Sequence, residues 1–217
     1  MKKIVILLVS LTVLVLLSFS VAYLVIRHTS VSFGDKVAVI NVHGEIFVED
    51  TGGLLFEEVV TPRDFKKALK KAEDDASVKA IVLEINSPGG SIVASEEIAD
   101  AIKGASKPTV AWLSEIATSG GYYIASACDY IVADRATITG SIGVISMSPE
   151  FSRLLDKIGV NVTVIKGGKY KDFSTGYRPI TEEERQMIQD VVSEIYEQFI
   201  KEVATNRNLS EDYVKLV

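Results

Sequence analysis

The heptapeptide Ala-Thr-Ser-Gly-Gly-Tyr-Tyr, residues 117–123, lies between an apolar run, Thr109–Leu113, and a run of small residues, Tyr123–Cys128. The first run predicts a strand and the second a helix. Ser119 therefore sits on a sharp turn, in front of a helix that offers unpaired backbone N–H groups. Two glycines directly after it let another chain approach closely. Ser119 has two interpretations at this stage, as a nucleophile or as a serine that caps the helix.

Apolar strand patterns alternate with helical patterns along the rest of the chain. Further strands are predicted at Lys36–Val42, Val78–Ile85, Tyr130–Ala133 and Val162–Ile165, a turn at His43–Ile46, and a glycine-punctuated strand or turn at Thr137–Ile145. Helices are predicted from Thr61-Pro62, at Ile92–Lys103 with Gly104 as a left-handed cap, at Glu150–Ile158, and from the capping box of Thr181 and Glu184 to about Asn206. The last of these carries Met187, Ile188, Val191, Ile195, Phe199 and Val203 on one apolar side. This alternation predicts an α/β fold with a mostly parallel sheet and flanking helices.

A second strand-to-helix junction, Ser87-Pro88-Gly89-Gly90, resembles the one at Ser119. In a parallel sheet both junctions lie at the carboxyl ends of strands, where α/β proteins build their sites. A Pro-Gly-Gly segment exposes consecutive N–H groups, and two such donors can form an oxyanion hole. The N–H of Gly120 is a candidate for one donor and those of Gly89 or Gly90 for the other. The alternative for Pro-Gly-Gly is a tight turn without a chemical role.

A nucleophilic serine needs a base. The chain has two histidines, His28 and His43; His28 flanks an apolar segment, and His43 has no acidic partner at an obvious spacing. A lysine can serve as base where burial lowers its pKa towards neutrality. Lys171 lies in a Gly-rich loop after an apolar strand pattern, with Lys169 as its local rival, and a solvated loop lysine is the plain alternative for both.

The composition excludes several classes of function. A net charge of −6 argues against nucleic-acid binding. The single cysteine, Cys128, and the lack of a Cys and His cluster at ligand spacing argue against a zinc site. Neither a P-loop nor a dinucleotide fingerprint occurs. We therefore expect no metal and no cofactor.

The N-terminus carries a long apolar segment. Lys2 and Lys3 precede 23 residues without charge, residues 4–26, and Arg27 follows. At ~1.5 Å per residue such a helix spans a bilayer core, whereas the apolar region of a signal peptide is shorter. We expect residues 1–28 to be a retained single-pass membrane anchor in contact with lipid, residues 29–35 a linker, and residues 36–217 the catalytic domain. The distribution of basic residues favours a cytoplasmic N-terminus and a domain outside the cytoplasm.

Four motifs in order, together with this anchor, resemble the signal peptide peptidase A family, the membrane-anchored Ser-Lys peptidases of the S49 type. The motifs are residues 86–90 (NSPGG), 118–125 (TSGGYYIA), 139–145 (TGSIGVI) and 168–172 (GKYKD). The resemblance covers roughly residues 36–215. It implies a fold like that of the crotonase and Clp-protease superfamily.

The resemblance also implies the roles of the site residues. Ser119 would be the nucleophile, and Lys171, the lysine before Asp172 in the Gly-x-x-Lys-Asp pattern, the general base. Gly89 or Gly90 together with Gly120 would form the oxyanion hole. The family assembles as homo-oligomers and degrades remnant signal peptides, so a peptide substrate with apolar segments is expected.

Three alternatives remain on the same core, namely a stomatin-cleaving membrane protease, a non-catalytic anchored scaffold, and an acyl-CoA enzyme that the anchor disfavours. Family members usually continue past the region equivalent to Val217, which implies a domain truncated at its C-terminus.

Overall fold

The computed structural model describes residues 11–21, 23, 34–49 and 59–216 of the 217-residue chain. Two compact units are distinguished, Met1–Lys36 and Val37–Val217. In the first, residues 11–21 are helical (α1). Among the described residues, no helix is both long and apolar enough to span a membrane. Much of the predicted anchor, residues 4–26, lies outside the described residues, as do His28 and most of the predicted linker.

The remainder of the described chain forms six strands and six helices. The strands are β1 (Lys36–Ile46), β2 (Val59–Val60), β3 (Val78–Gly90), β4 (Thr109–Thr118), β5 (Tyr130–Ala133) and β6 (Ile138–Gly140). The helices are α2 (Pro62–Asp74), α3 (Ile92–Lys103), α4 (Gly120–Ser126), α5 (Ser152–Lys157), α6 (Glu182–Arg207) and α7 (Glu211–Val214).

The strands form one sheet in the order β2-β1-β3-β4-β5, with β6 also paired to β4. The pairs β1/β2, β3/β4, β4/β5 and β4/β6 are parallel. Strand β4 pairs with β5 through Val110–Leu113 and with β6 through Ile116–Thr118. The prediction of a parallel α/β fold is therefore confirmed, and the end of β4, just before Ser119, lies beside the end of β6.

Two apolar clusters hold the site in place. The first joins the strands to α2, α3 and α4 through fully buried side chains such as Leu83, Ile98 and Ile124. The second joins α3 and α4 to α6 and α7 through Tyr123, Phe199 and neighbouring side chains. Helix α4, which begins directly after Ser119, contributes to both clusters. Its N-terminus is therefore fixed from two sides.

The helix starts predicted at Thr61-Pro62, Ile92 and Thr181 are confirmed, whereas the helix predicted from Glu150 begins at Ser152. The Thr61 hydroxyl accepts a hydrogen bond from the Asp64 N–H, and Pro62 occupies the first turn of α2. At α6 the Thr181 hydroxyl accepts from the Glu184 N–H, while the Glu184 carboxylate accepts from the Thr181 N–H. This is the reciprocal capping box that the sequence predicted.

Three local predictions are wrong. His43–Ile46 continues β1 instead of turning, because Glu45 and Ile46 pair with Val59 and Val60 of β2. Val162–Ile165 is not a strand; none of the strands in the described chain pairs with it, and Ile165 is 96% exposed. Gly104 is right-handed, with φ −82° and ψ −4°, because its N–H still bonds to the Asp100 carbonyl and continues the helical turn.

The apolar side of α6 is buried only in part. Phe199 and Val203 lie in the second cluster, whereas Met187 and Val191 are exposed. The second half of α6 packs against α4. The first half instead supports the loop that contains Lys171 through polar contacts described below.

Candidate active site

Ser119 occupies a strained turn between β4 and α4. Its φ of 51° and ψ of −122° lie in a region that non-glycine residues rarely adopt. The Ser119 N–H donates to the Gly140 carbonyl of β6 at 2.9 Å, and its carbonyl accepts from the Tyr123 N–H at 2.9 Å. Both backbone groups are thus satisfied, and the side chain is half-buried. Strain of this kind persists where the surrounding structure enforces it, and it is concentrated at functional sites.

Close backbone packing enforces the turn. A Cβ added to Gly89 would lie 2.6 Å from the Gly120 nitrogen and 2.9 Å from the Ser119 Cβ. A Cβ added to Gly120 would lie 2.3 Å from the hydroxyl of buried Ser95. Gly89 also has φ +97°, which favours glycine. The two glycine junctions that the sequence singled out therefore touch each other, and each requires glycine for steric reasons.

Candidate backbone donors lie beside Ser119 at both junctions. Gly120 is the first residue of α4, so its N–H has no partner within the helix. The Gly89 N–H donates to the Ser87 hydroxyl at 3.1 Å, so that bond has to open if Gly89 is to bind an oxyanion. Gly90 lines the cavities beside Ser119. Gly89 and Gly90 remain alternatives for the second donor.

Two cavities meet at Ser119. One is a narrow pocket of about 30 Å³ with mainly apolar walls, lined by Gly90, Ile92, Ser95, Ser119, Gly120, Tyr123, Gly143, Val144, Ile195, Gln198 and Phe199. The other is an open cleft of about 770 Å³, which runs past Gly89, Ser141 and Met147. Ser119 therefore borders both a small apolar pocket and a wide, solvent-open cleft.

Sequence reasoning missed the side chains that line the pocket. Tyr123 and Phe199 form an edge-to-face pair with ring centroids 5.0 Å apart. Burial raises the pKa of Tyr123, so its phenol stays protonated and neutral at physiological pH. Ile195 and Phe199 belong to the predicted apolar side of α6, one turn apart, and that spacing was the available signal. The periodicity of the helix does not indicate that this side faces a pocket as well as the core.

Ser141 is a further hydroxyl residue that lies near Ser119. It lines the open cleft together with Ser119 and, like it, has a φ of 51°. It directly follows Gly140, whose carbonyl binds the Ser119 N–H. Ser141 belongs to the motif of residues 139–145, but the sequence pattern predicts no role for it.

Lys171 lies in a different environment. It is exposed, in a loop of turns that precedes α6, and it lines neither of the two cavities at Ser119. Its rival Lys169 donates to both Glu183 oxygens, at 2.7 and 2.6 Å, and these bonds raise the pKa of Lys169. The structure thus brings together Ser119, Gly89, Gly90 and Gly120, and it places Lys171 apart from them within a single chain.

His43 lies on β1, with its Nε2 3.5 Å from the Glu84 carboxylate of β3. It therefore has an acidic neighbour, which the spacing had not suggested. It lines neither cavity at Ser119.

Comparison with protein families gives a match to the model described as Peptidase family S49, over residues 101–217. The chain belongs to this family. A putative protease of Methanocaldococcus jannaschii is 36% identical over 222 residues, which cover 98% of this chain and 71% of that protein. A putative signal peptide peptidase of Enterococcus faecium is 38% identical over 83% of this chain and 53% of its own length. Family S49 consists of serine peptidases, and the matched region contains Ser119 and Lys171.

Solved structures agree on the fold. A mutant of the 1510-N membrane-bound stomatin-specific protease matches with a TM-score of 0.51 and 18% identity, over 84% of this chain and 69% of that one. A mutant of ClpP1 from Listeria monocytogenes matches with a TM-score of 0.51 and 14% identity, over 82% and 76%. The predicted Clp-protease-like architecture is therefore confirmed for this S49 chain.

Proposed function

We propose that this S49 chain is a serine endopeptidase in which Ser119 is the nucleophile and Lys171 the general base. The observation that carries the proposal is the strained turn at Ser119, packed against Gly89, with a helix N-terminus behind it and a pocket beside it. Strain, backbone donors and an adjoining cavity at one serine are the parts that acyl transfer needs. A capping role alone would not explain the strained backbone, since Ser119 makes no side-chain cap hydrogen bond.

The reaction follows from these parts. Lys171 in its neutral form takes the Ser119 proton as the hydroxyl oxygen attacks the scissile carbonyl. The N–H of Gly120 and that of Gly89 or Gly90 bind the developing oxyanion. Lys171 then gives the proton to the leaving amine, and water releases the acyl group from Ser119. Because Lys171 lies outside the Ser119 cavities of one chain, this step requires the loop to close or a second copy in a homo-oligomer to supply the lysine.

The substrate is proposed to be an extended peptide with an apolar side chain next to the scissile bond. Ile92, Val144 and Ile195 give the pocket an apolar lining, and an apolar lining favours such a side chain. Remnant signal peptides have this character, and the Enterococcus faecium relative is named for them. We place the domain, residues 36–217, outside the cytoplasm on an anchor formed by residues 1–28, in contact with membrane lipid through residues 4–26.

A second candidate is cleavage of a stomatin-type membrane protein, favoured by the likeness to a protease named as stomatin-specific. The two proposals share the site and differ in substrate. Cleavage of a signal peptide and of a stomatin C-terminal peptide, measured side by side as kcat/KM, separates them.

The proposed mechanism is tested with Ser119→Ala and Lys171→Ala. Each should lower kcat by at least ~10³-fold without changing the thermal unfolding temperature, because each removes one partner of a group that acts as a unit. Lys169→Ala is the matched control and should keep most of the activity. Full activity of Ser119→Ala would contradict the nucleophile, and full activity of Lys171→Ala would contradict the base.

A further inference from the structure

The loop of residues 166–172 carries three lysines whose partners differ. Lys166 donates to the Asp172 carboxylate, and Lys169 pairs with Glu183. In the described part of the chain, the Lys171 ammonium makes no ion pair and no hydrogen bond. A carboxylate partner favours the charged form of a lysine and opposes its use as a base. Lys171 is thus the lysine of this loop whose ammonium has no carboxylate partner among the described residues.

Asp172, the neighbour of Lys171 in sequence, is fully engaged elsewhere. Arg178 binds it in a fork, with Nε 2.9 Å from Oδ2 and Nη2 2.9 Å from Oδ1. The Asp172 side chain is only 8% exposed. The Arg178 guanidinium, followed by Lys166, holds the pKa of Asp172 well below its usual range. Both carboxylate oxygens therefore face cations other than Lys171.

Arg178 is itself fixed by a second carboxylate. Its Nη1 lies 2.8 Å from Glu184 Oε2 and its Nη2 2.6 Å from Glu184 Oε1. Glu184 is 3% exposed and belongs to the capping box at the start of α6. A third acidic group, Glu183, is occupied by Lys169 and by the Tyr170 hydroxyl. A fourth, Glu182 in the first turn of α6, lies 3.6 Å from Arg185. All four carboxylates therefore have partners other than Lys171.

We propose that Arg178, assisted by Lys166, is a positioning residue that withholds the Asp172 carboxylate from Lys171 and so leaves Lys171 able to act as an uncharged base. The inference rests on the proposed function, because it assigns a role to the surroundings of the proposed base. It also connects the proposed base with the substrate pocket through helix α6. Glu184, in the first turn of α6, binds Arg178, and Ile195 and Phe199 of the same helix line the pocket.

The test is the pH dependence of kcat/KM for the full chain and its variants. Arg178→Gln removes the fork and leaves Asp172 available to Lys171. The acidic limb of the profile should move to higher pH by about 0.5–1 unit, the effect of one nearby opposite charge in a partly exposed site. Lys166→Gln removes one of the two partners of Asp172 and should move the limb in the same direction by less.

Asp172→Asn should not reproduce the shift to higher pH if the inference holds. It leaves no carboxylate that could pair with Lys171, and the positive charges of Arg178 and Lys166 remain nearby. The acidic limb should then stay in place or move to lower pH, even where the rate falls because the loop is less well held. A purely structural role of these residues would lower the rate without moving the limb to higher pH in Arg178→Gln and Lys166→Gln.

The matched control is Lys215→Gln, which breaks the pair of Lys215 with Glu197 on α6, 2.8 Å apart and far along the helix from Glu184. Its profile should equal that of the wild type. A wild-type limb in both Arg178→Gln and Lys166→Gln would overturn the inference, and Lys166, a third exposed, keeps the test decisive if Arg178→Gln does not fold. Activity of Lys171→Ala reports on the proposed base separately. If that variant is inactive and the limb does not move, this inference alone fails.

Discussion

The Ser119 turn, residues 118–121, and the Lys171 loop, residues 166–172, are held in place by different interactions. The turn is fixed by close packing, because a Cβ on Gly89 would meet the Gly120 nitrogen and a Cβ on Gly120 would meet the Ser95 hydroxyl. The loop is fixed by ion pairs at the edge of the molecule, and a Cβ added to its Gly168 would meet nothing within 4 Å. The turn should therefore be sensitive to volume and the loop sensitive to charge.

The largest effect is expected from Gly89→Ala. The new Cβ would lie 2.6 Å from the Gly120 nitrogen and 2.9 Å from the Ser119 Cβ, so the turn has to shift. A displacement of about 1 Å at a reacting group costs on the order of 10²-fold in rate. We expect kcat/KM to fall by at least ~10²-fold, measured on protein whose folding is checked by circular dichroism.

Gly168→Ala is the matched control for that substitution. Gly168 has φ +100°, close to the +97° of Gly89, so both variants carry a similar backbone strain of ~1–2 kcal/mol. Only Gly89 adds a steric clash. Gly168→Ala should lose stability by that amount and keep most of its activity. Equal losses of activity in the two variants would show that the turn and the loop are not held differently.

A smaller effect, a loss of thermal stability, is expected when the pH is lowered. It should arise at the loop of residues 166–172 and its contacts with α6. Hydrogen bonds from Arg178 and from the Thr181 N–H lower the pKa of Glu184 to about 2, and the pKa of Asp172 is also lowered. Such carboxylates stabilise the fold above their unfolded values of ~4, and this contribution is lost as the pH falls through the folded-state values. The wild-type melting temperature should therefore fall between about pH 4.5 and pH 2.

Asp172→Asn and Glu184→Gln should each make that fall shallower by a few degrees. Glutamine keeps the capping box at Thr181, so Glu184→Gln removes the charge alone. Glu197→Gln, at the exposed pair with Lys215, is the control and should keep the wild-type slope. Parallel slopes for all four proteins would contradict the assignment of acid sensitivity to this loop.

Much of the turn could be predicted from sequence because its constraints are local. A strand pattern, a serine, two glycines and a helix pattern suffice to place Ser119 at the edge of a parallel sheet. The second junction, with Gly89, follows by the same argument. Strands β3 and β4 are parallel neighbours in the sheet. The two junctions at their carboxyl ends therefore come into contact.

The pocket and the Lys171 loop could not be predicted in this way. The apolar side of α6 is continuous in sequence, yet its first half is exposed and only its second half is buried. The Arg178 fork joins residues that are each ordinary surface charges by sequence, and only their arrangement at the start of α6 buries Asp172 and Glu184. The predicted strand at Val162–Ile165 failed for a related reason, since a strand needs a partner that its own residues do not specify.

The most direct test of the claim that Ser119 is the nucleophile is to identify the residue that a phosphonate inhibitor modifies. The full chain would be treated with a peptide phosphonate that carries an apolar side chain, and the modified residue mapped by mass spectrometry. The account predicts a single adduct on Ser119, absent from Ser119→Ala and formed at least ~10³-fold more slowly by Lys171→Ala. An adduct on another residue, formed at the same rate in Ser119→Ala as in the wild type, would contradict it.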